Sequence, residues 1–250
     1  MLGFFYFMQE RKDLLAREKN ISERSYSTAA NFRIVNHFIE FPPVLSKLRI
    51  LDIGTGASPA VLELNRRGAR AIAYDIRYEK LGELQESVER YIGDPSYSSR
   101  QENTQAIKKL FDEEVQVFPA TEAYKNIQIS SLKIFLEAAK KRELSCVAGI
   151  ASHLPFRDES FDFVYSLQTI SQFLLEDRDV FMQSIMEALR VLKTDGQLKL
   201  HPWEINPYAL SQSPERQSMV ALMRFLKERK MPYRIEQFYA LSPRIVVFKK

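Results

Sequence analysis

Apolar residues along the 250-residue chain fall into two kinds of run, short unbroken stretches and longer stretches spaced at helical intervals, and the two kinds alternate. The unbroken runs, bounded by turn formers, predict strands at Leu48–Ile53, Ala69–Asp75, Cys146–Ile150, Phe161–Leu167 and Gln197–His201. Two more, near Tyr233–Ala240 and Arg244–Phe248, meet at Ser242-Pro243 and predict a hairpin. Helical spacing occupies Pro59–Arg67, Tyr78–Tyr91, Arg178–Lys193 and Ser213–Lys230. The first of these helices is well punctuated. Ser58 suits its N-cap, Pro59 its first helical position and Gly68 the left-handed residue past its end. Strands alternating with helices predict an α/β fold, a doubly wound and mostly parallel seven-stranded sheet with an antiparallel C-terminal hairpin.

Residues 76 to 144 separate the second and third strands, far more than one crossover helix requires. Beyond the turn at Gly93-Asp94-Pro95, helical patterns recur at Glu102–Glu114 and Ser130–Arg142. Ile107, Leu110 and Phe111 share one face, and Leu132, Phe135, Leu136 and Ala139 the other helix's face. The expected organisation is an N-terminal helical cover (1–47) and a sheet domain (48–250) with a helical insertion between strands 2 and 3 at about 93–143. Counting directions places Val115–Gln128, with Phe118, Pro119 and Tyr124, near the C-terminal strand ends. There it walls an acceptor site, or the helices form a hairpin for packing or homodimerisation. Ser25-Tyr26-Ser27 and Asn31-Phe32 are a second candidate cover.

With 45% hydrophobic and 27% charged residues, the chain can bury a full core, and disorder is excluded. Basic and acidic residues nearly balance, 36 against 32, so a polybasic binder is excluded and nucleic acid is not an expected partner. One cysteine forms no internal disulfide, and three histidines leave few metal constellations; no metal is expected. The apolar run Leu2–Met8 lacks a basic leader and is too short to span a bilayer, so a cytoplasmic protein without stable membrane insertion is expected. The charge is uneven: from Lys199 onward, ten Lys/Arg face four Asp/Glu. That surplus reads as a solvated helix face around Arg224–Lys230, or as a patch attracting an anionic substrate.

Chemistry concentrates at Leu51-Asp52-Ile53-Gly54-Thr55-Gly56-Ala57-Ser58, where a strand meets a glycine turn and then a helix. Gly54 and Gly56 permit a sharp bend and close approach of a ligand. Asp75, at the end of the next strand, can accept both hydroxyls of a ribose lying across the strand ends. A pyrophosphate fingerprint needs a third glycine where Pro59 stands, and Asp52 at the mouth of the turn repels a diphosphate. The same Asp52 suits a cation. S-adenosylmethionine has a sulfonium, an ammonium, a ribose and no phosphate.

These residues resemble the class I, Rossmann-like S-adenosylmethionine-dependent methyltransferases, in particular the ubiquinone/menaquinone-biosynthesis type of methyltransferase domain. Four blocks carry the resemblance in the family's order: Arg49–Gly56, Ala73–Ile76, Leu154–Val164 (LPFRDESFDFV) and Glu187–Gly196 (EALRVLKTDG). The resemblance implies S-adenosylmethionine as cofactor. It places Asp52, Gly54, Thr55 and Gly56 around the amino-acid end, Asp75 on the ribose and Ile76, Ile150 and Ala151 at the adenine. Ser166 and Leu167 fall beside the methionine moiety. The chain departs from the family at Ser58, where a third glycine is common, and at Ile150, where an aspartate often binds the adenine amino group. Leu154, Phe156 and Phe161 read as packing residues, and Asp162 as a tie to backbone donors at the start of its strand.

The implied reaction is methyl transfer by in-line displacement to a small-molecule acceptor. Positioning matters more than acid–base chemistry there, and a base is needed only where the acceptor must lose a proton. Catalytic candidates follow the strand ends: Gln172 after the fourth strand, where the family often has histidine, and His201 after the fifth. His153 and His37 are weaker bases by position, and Trp203 and Tyr208 are candidate substrate contacts. Ser166-Leu167-Gln168-Thr169 does not resemble the Asn/Asp-Pro-Pro-Tyr motif of base-amino methyltransferases, and Cys146, inside a strand, is not placed as a nucleophile. Two rival functions remain, a non-catalytic module binding the same cofactor and an aminopropyl transferase. The latter calls for acidic residues that Gln168–Phe173 lacks.

Overall fold

The structure, a computed structural model, describes residues 16–17, 31–93, 121–167, 169–201, 214–237 and 243–249. Leu2–Met8, Ser25–Ser27, the helix expected at Glu102–Glu114, Phe118, Pro119, Trp203, Tyr208 and the side chains of Tyr124 and Gln172 lie outside the described residues. Seven strands form one sheet: β1 (Arg49–Ile53), β2 (Arg70–Asp75), β3 (Cys146–Ala148), β4 (Phe161–Leu167), β5 (Leu192–His201), β6 (Tyr233–Gln237) and β7 (Pro243–Phe248). Their spatial order is β3-β2-β1-β4-β5-β7-β6. β1 to β5 are parallel, and β7 runs antiparallel to both β5 and β6. The expected hairpin is present, but it is turned so that its second strand is the inner one.

Helices α1 (Phe32–Ile39), α2 (Ala60–Arg66), α3 (Leu81–Gly93), α4 (Thr121–Lys140), α5 (Arg178–Val191) and α6 (Pro214–Glu228) clothe the sheet. Alternation along the strands sends side chains to two separate cores. Leu51, Ile53, Val164, Leu198 and Leu200 pack with α5 and α6 through Phe181, Ile185, Leu222 and Leu226. Ile50, Ala71, Ala73, Phe163 and Tyr165 face α1 to α4 through Phe38, Ile39, Val61, Val88 and Phe135. Leu51 and Ile50 are both fully buried, so β1 runs through the middle of the molecule with no solvent-facing side.

Several boundaries differ from expectation for local reasons. The helix expected from Tyr78 starts as a 3-10 turn, Ile76–Lys80, because the Asp75 side chain caps it by accepting from the Arg77 backbone N–H. β5 begins at Leu192, five residues before the expected Gln197. The chain there takes Asp195 into the left-handed region at φ 64 and stays paired, with Asp195 N–H donating to Lys249 O (2.8 Å). The excess shows as a register shift, Phe161 pairing Leu192 while Phe163 pairs Gln197. The second inserted helix is longer than Ser130–Arg142 and starts at Thr121. Its C-terminal half lies against α3, with Leu132, Phe135 and Leu136 in one cluster with Leu84 and Val88. Lys140 and Glu89 add an ion pair across the two helices (3.0 Å). This half is a layer of the core.

Candidate active site

The glycine turn follows β1 directly. Gly54 (φ 82) and Gly56 (φ 58) both occupy the left-handed region. At Gly54 a side chain is excluded outright, since a Cβ there would lie 1.9 Å from Thr169 Oγ1. Thr169 opens a π-helical turn, Thr169–Phe173, after β4, and its hydroxyl donates to Gly54 O (3.2 Å). Gln172 lies in the same turn. Thr55 is buried, and its hydroxyl donates to Asp52 O (3.0 Å). The N-cap of α2 is Pro59, one residue later than the expected Ser58, whose hydroxyl accepts from Ala60 N–H (3.2 Å) just before the helix, and Gly68 (φ 87) takes the left-handed position past the helix end.

Asp52 is 4% exposed, and its carboxylate accepts from the Tyr165 hydroxyl at 2.7 Å. Parallel pairing of β1 with β4 puts Asp52 beside Tyr165 in register, so these residues meet across 113 positions of sequence. Burial pushes the Asp52 carboxyl up to about 7 from an ordinary 3.8, and the neighbouring Asp75 adds to the rise; the Tyr165 and Thr55 hydroxyls offset part of it. The Tyr165 hydroxyl itself is pushed well above its usual range by burial and by Asp52. Among the described residues Asp52 has no cation beside it.

Asp75 ends β2 and is equally buried, at 4% exposure. Its Oδ2 accepts from Gly56 N–H (2.8 Å), which ties the β2 end to the glycine turn. Arg77 supplies the rest: its backbone N–H and Nε donate to Oδ1 (2.9 and 3.1 Å), and Nη2 donates to Oδ2 (3.2 Å). Tyr78, one residue on, donates its hydroxyl to Gly56 O (2.8 Å). The predicted motif residues are therefore brought together, and the chain's own side chains partner them. Ile76 starts the 3-10 turn, half-buried.

On the far side of β2, Ile150 and Ala151 follow β3 and are buried. Gly149 (φ 156) lets the chain pass Tyr74, whose hydroxyl would meet a Cβ there at 2.1 Å. That hydroxyl donates to Ile150 O (3.0 Å) and to His153 O (3.2 Å), so the Ile150 carbonyl is bound within the protein. Ser166 is fully buried at the end of β4 and accepts from Ile170 N–H (3.0 Å), holding the π turn. Leu167 packs in the α1-side core.

His201 lies on the α1 side of β5, stacked on Phe38 with centroids 4.5 Å apart and an interplanar angle of 19°. Burial, with Arg244 and His37 adding, lowers its pKa to about 3. A ring so weakly basic does not accept a proton at neutral pH, and the expected role of His201 as general base does not fit this position. The surplus positive charge of the C-terminal region is partly consumed nearby. Lys199 Nζ donates to Ile39 O and Glu40 O (2.8 Å each), and Arg244 donates to Phe38 O (2.7 Å) and pairs with Glu40 and Glu236. Two buried cations thus cap the C-terminus of α1. Phe41, just beyond α1, packs edge-on against Tyr165 (5.1 Å), so this helix also covers the Asp52 pair.

The two downstream sequence blocks prove to be halves of one joint. Glu187 accepts from Leu154 N–H (2.9 Å), while Arg190 donates to Leu154 O (2.9 Å), Phe156 O (2.8 Å) and Asp158 (2.7 Å). Asp162 ties the start of β4 to Arg49 N–H (2.8 Å) and to Lys193 (2.6 Å), the backbone role expected of it. Cys146 lies half-buried in β3, and burial raises its thiol pKa. It borders a cleft of about 1030 Å³ lined also by Arg49, Arg66, Arg70 and Phe161. That cleft opens at the starting edge of the strands, the end opposite Gly54 and Asp75. Among the described residues no cluster of His, Cys, Asp and Glu is placed to hold a metal, and no helix is long and apolar enough to cross a membrane.

Comparison with protein families matches residues 116–200 to the methyltransferase domain. About a third of the chain is thus similar to that family. The match covers β3, β4 and most of β5; the glycine turn and Asp75 precede it. No curated protein matches the sequence. Similar solved structures include a protein from Pyrococcus horikoshii OT3, 16% identical over 87% of both chains with a TM-score of 0.47. A SAM-dependent methyltransferase from Aquifex aeolicus is 14% identical over 85% of this chain and 90% of its own, with a TM-score of 0.43. A SAM-dependent methyltransferase from Methanosarcina mazei is 17% identical over 84% of this chain and 98% of its own, with a TM-score of 0.44.

Proposed function

We propose that the protein is a methyltransferase that transfers a methyl group to a small-molecule acceptor by in-line displacement, holding S-adenosylmethionine across the ends of β1 and β2. Bound there, the cofactor supplies a methyl group activated by its sulfonium. Asp52, with the turn Gly54-Thr55-Gly56, meets the cationic amino-acid end. Asp75 takes the ribose hydroxyls, Ile76, Ile150 and Ala151 border the adenine, and Ser166 and Leu167 border the methionine chain. The chain's own contribution is orientation and charge complementarity, and His201 is left as a packing residue.

The observation that carries this reading is the pair of buried carboxylates flanking one glycine turn, each 4% exposed, one of them without a cation beside it among the described residues. A buried carboxylate with no counter-charge is costly, and a ligand bearing a sulfonium and an ammonium removes that cost. A phosphate-bearing cofactor worsens it. Of the C-terminal cations, Lys199 and Arg244 are spent on α1, while Arg234 pairs with Glu236 and Lys249 with Glu159. Calorimetric titration with S-adenosylmethionine and S-adenosylhomocysteine tests the cofactor seat. Binding that falls at least tenfold in both Asp52→Asn and Asp75→Asn is expected; no heat with either compound and an unchanged Tm would remove the assignment.

A further inference from the structure

We propose that Arg77 is a latch that occupies the ribose seat on Asp75 and sets cofactor affinity by competition. This rests on the assignment of Asp75 to the ribose made above. An ionised carboxylate offers about four acceptor directions, and at Asp75 four donors use them: Gly56 N–H, Arg77 N–H, Arg77 Nε and Arg77 Nη2. The two backbone donors are fixed by the fold, one by the glycine turn and one by the 3-10 turn that Asp75 caps. The two guanidinium donors belong to a long side chain that is 26% exposed at the rim of the site. A ribose brings two hydroxyl donors. It can therefore replace the guanidinium two for two, leaving both backbone bonds and the fold intact.

The exchange has a cost, because the guanidinium bonds are charge-assisted and those of a neutral diol are not. Removing Arg77 while keeping an apolar side chain of similar length removes the competitor. Arg77→Met should bind S-adenosylhomocysteine about three- to tenfold more tightly than wild type. Salt gives a second signature, since screening weakens the ion pair and leaves the diol unaffected. Raising sodium chloride from about 0.05 to 0.5 M should strengthen binding to wild type relative to Arg77→Met, because the ammonium contact at Asp52 is screened alike in both proteins. Arg77→Lys, which keeps the charge but loses the fork, should fall between them.

The test is calorimetric titration of wild type, Arg77→Met, Arg77→Lys and Arg77→Met carrying Asp75→Asn with S-adenosylhomocysteine, each variant first shown to melt cooperatively. Tighter binding to Arg77→Met than to wild type, by a margin that shrinks as salt rises, supports the latch. Equal or weaker binding to Arg77→Met, with wild type still binding, overturns the latch and leaves the cofactor seat standing. Undiminished binding when Asp75→Asn is added to Arg77→Met, where no latch competes, overturns the ribose assignment and the latch with it. A folded Arg77→Met that fails to bind, alongside a wild type that also fails, overturns the cofactor seat and the latch together.

Discussion

Replacing Asp52 with asparagine keeps the shape and an oxygen to accept from Tyr165, and removes only the ionisation. Folding moves the Asp52 carboxyl from an ordinary 3.8 to about 7. At 1.36 kcal/mol for each tenfold change in proton affinity, the native state carries an upper bound of about 4 kcal/mol of cost once both states are ionised. The sign follows from the direction. The native protein holds a proton that the unfolded chain has lost, so stability falls as pH rises from about 4 to 7 and levels off above. Asp52→Asn escapes this fall. Its advantage over wild type should grow by about 2–4 kcal/mol between pH 4.5 and 8, read from urea denaturation of both proteins at each pH. Taking the difference cancels His201, which acts in the opposite direction in both proteins. Any constant offset from the buried amide cancels as well, because only the change with pH is used. A wild type–variant difference that stays flat over that range would refute the account of Asp52 as a buried carboxyl lacking a counter-charge. The same linkage predicts that cofactor binding near pH 6.5 releases protons from wild type and none from the variant, measurable in buffers of different ionisation heat.

Gly54→Ala should destabilise by about 3 kcal/mol or more, from the left-handed backbone at φ 82 together with the 1.9 Å approach to Thr169. Adding Thr169→Gly should return the steric part of that loss in thermal melts and leave the backbone part; no recovery at all would place the strain elsewhere. Tyr165→Phe deprives Asp52 of the hydroxyl at 2.7 Å, and urea denaturation should show a loss of about 1–3 kcal/mol that is larger at pH 8 than at pH 5. His201→Phe keeps the stack on Phe38 and removes a ring held at about 3 against 6.5. Wild type should lose about 2 kcal/mol relative to this variant between pH 7 and 5, because only its unfolded state gains a proton there. Arg190→Ala cuts a joint of three ties to the Leu154–Asp158 loop, so a loss of about 2–4 kcal/mol is expected with calorimetric affinity for S-adenosylhomocysteine nearly unchanged.

Elements whose signals are local were legible in the sequence. β4 begins and ends where its apolar run does, and α2 is stopped by Gly68 in the conformation only glycine takes freely. The sheet order was within reach only as far as alternation implies parallel neighbours. The inward place of β7 depends on Arg244 and on pairing to Leu198 and Leu200, contacts made across more than forty positions. At the site, glycine and carboxylate positions could be read because the backbone geometry demands them. Their partners could not. Tyr165 sits in an apolar strand and reads as core, and Arg77 and Thr169 read as ordinary loop residues. One signal was available for Tyr165: an aspartate inside a buried strand requires a donor from the neighbouring strand, and strand 4 offers Tyr165 among apolar residues. His201, a histidine at a strand end, reads as available in the sequence, whereas Phe38, from a helix more than 160 positions earlier, stacks on it.

The inward position of β7 also constrains how the molecule assembles as it leaves the ribosome. β5 is complete at His201, but the strand that closes its open edge arrives only with Pro243–Phe248. β6 emerges first, and among the described residues it pairs with the sheet only through β7. For some forty residues of synthesis a hydrophobic strand edge stands open to other nascent chains. Arg244 then arrives on that same late strand and grips the end of α1, one of the earliest helices made. Closing the sheet and seating the cover over Asp52 and Tyr165 are thus one event, and a chain cut before Pro243 would lack both.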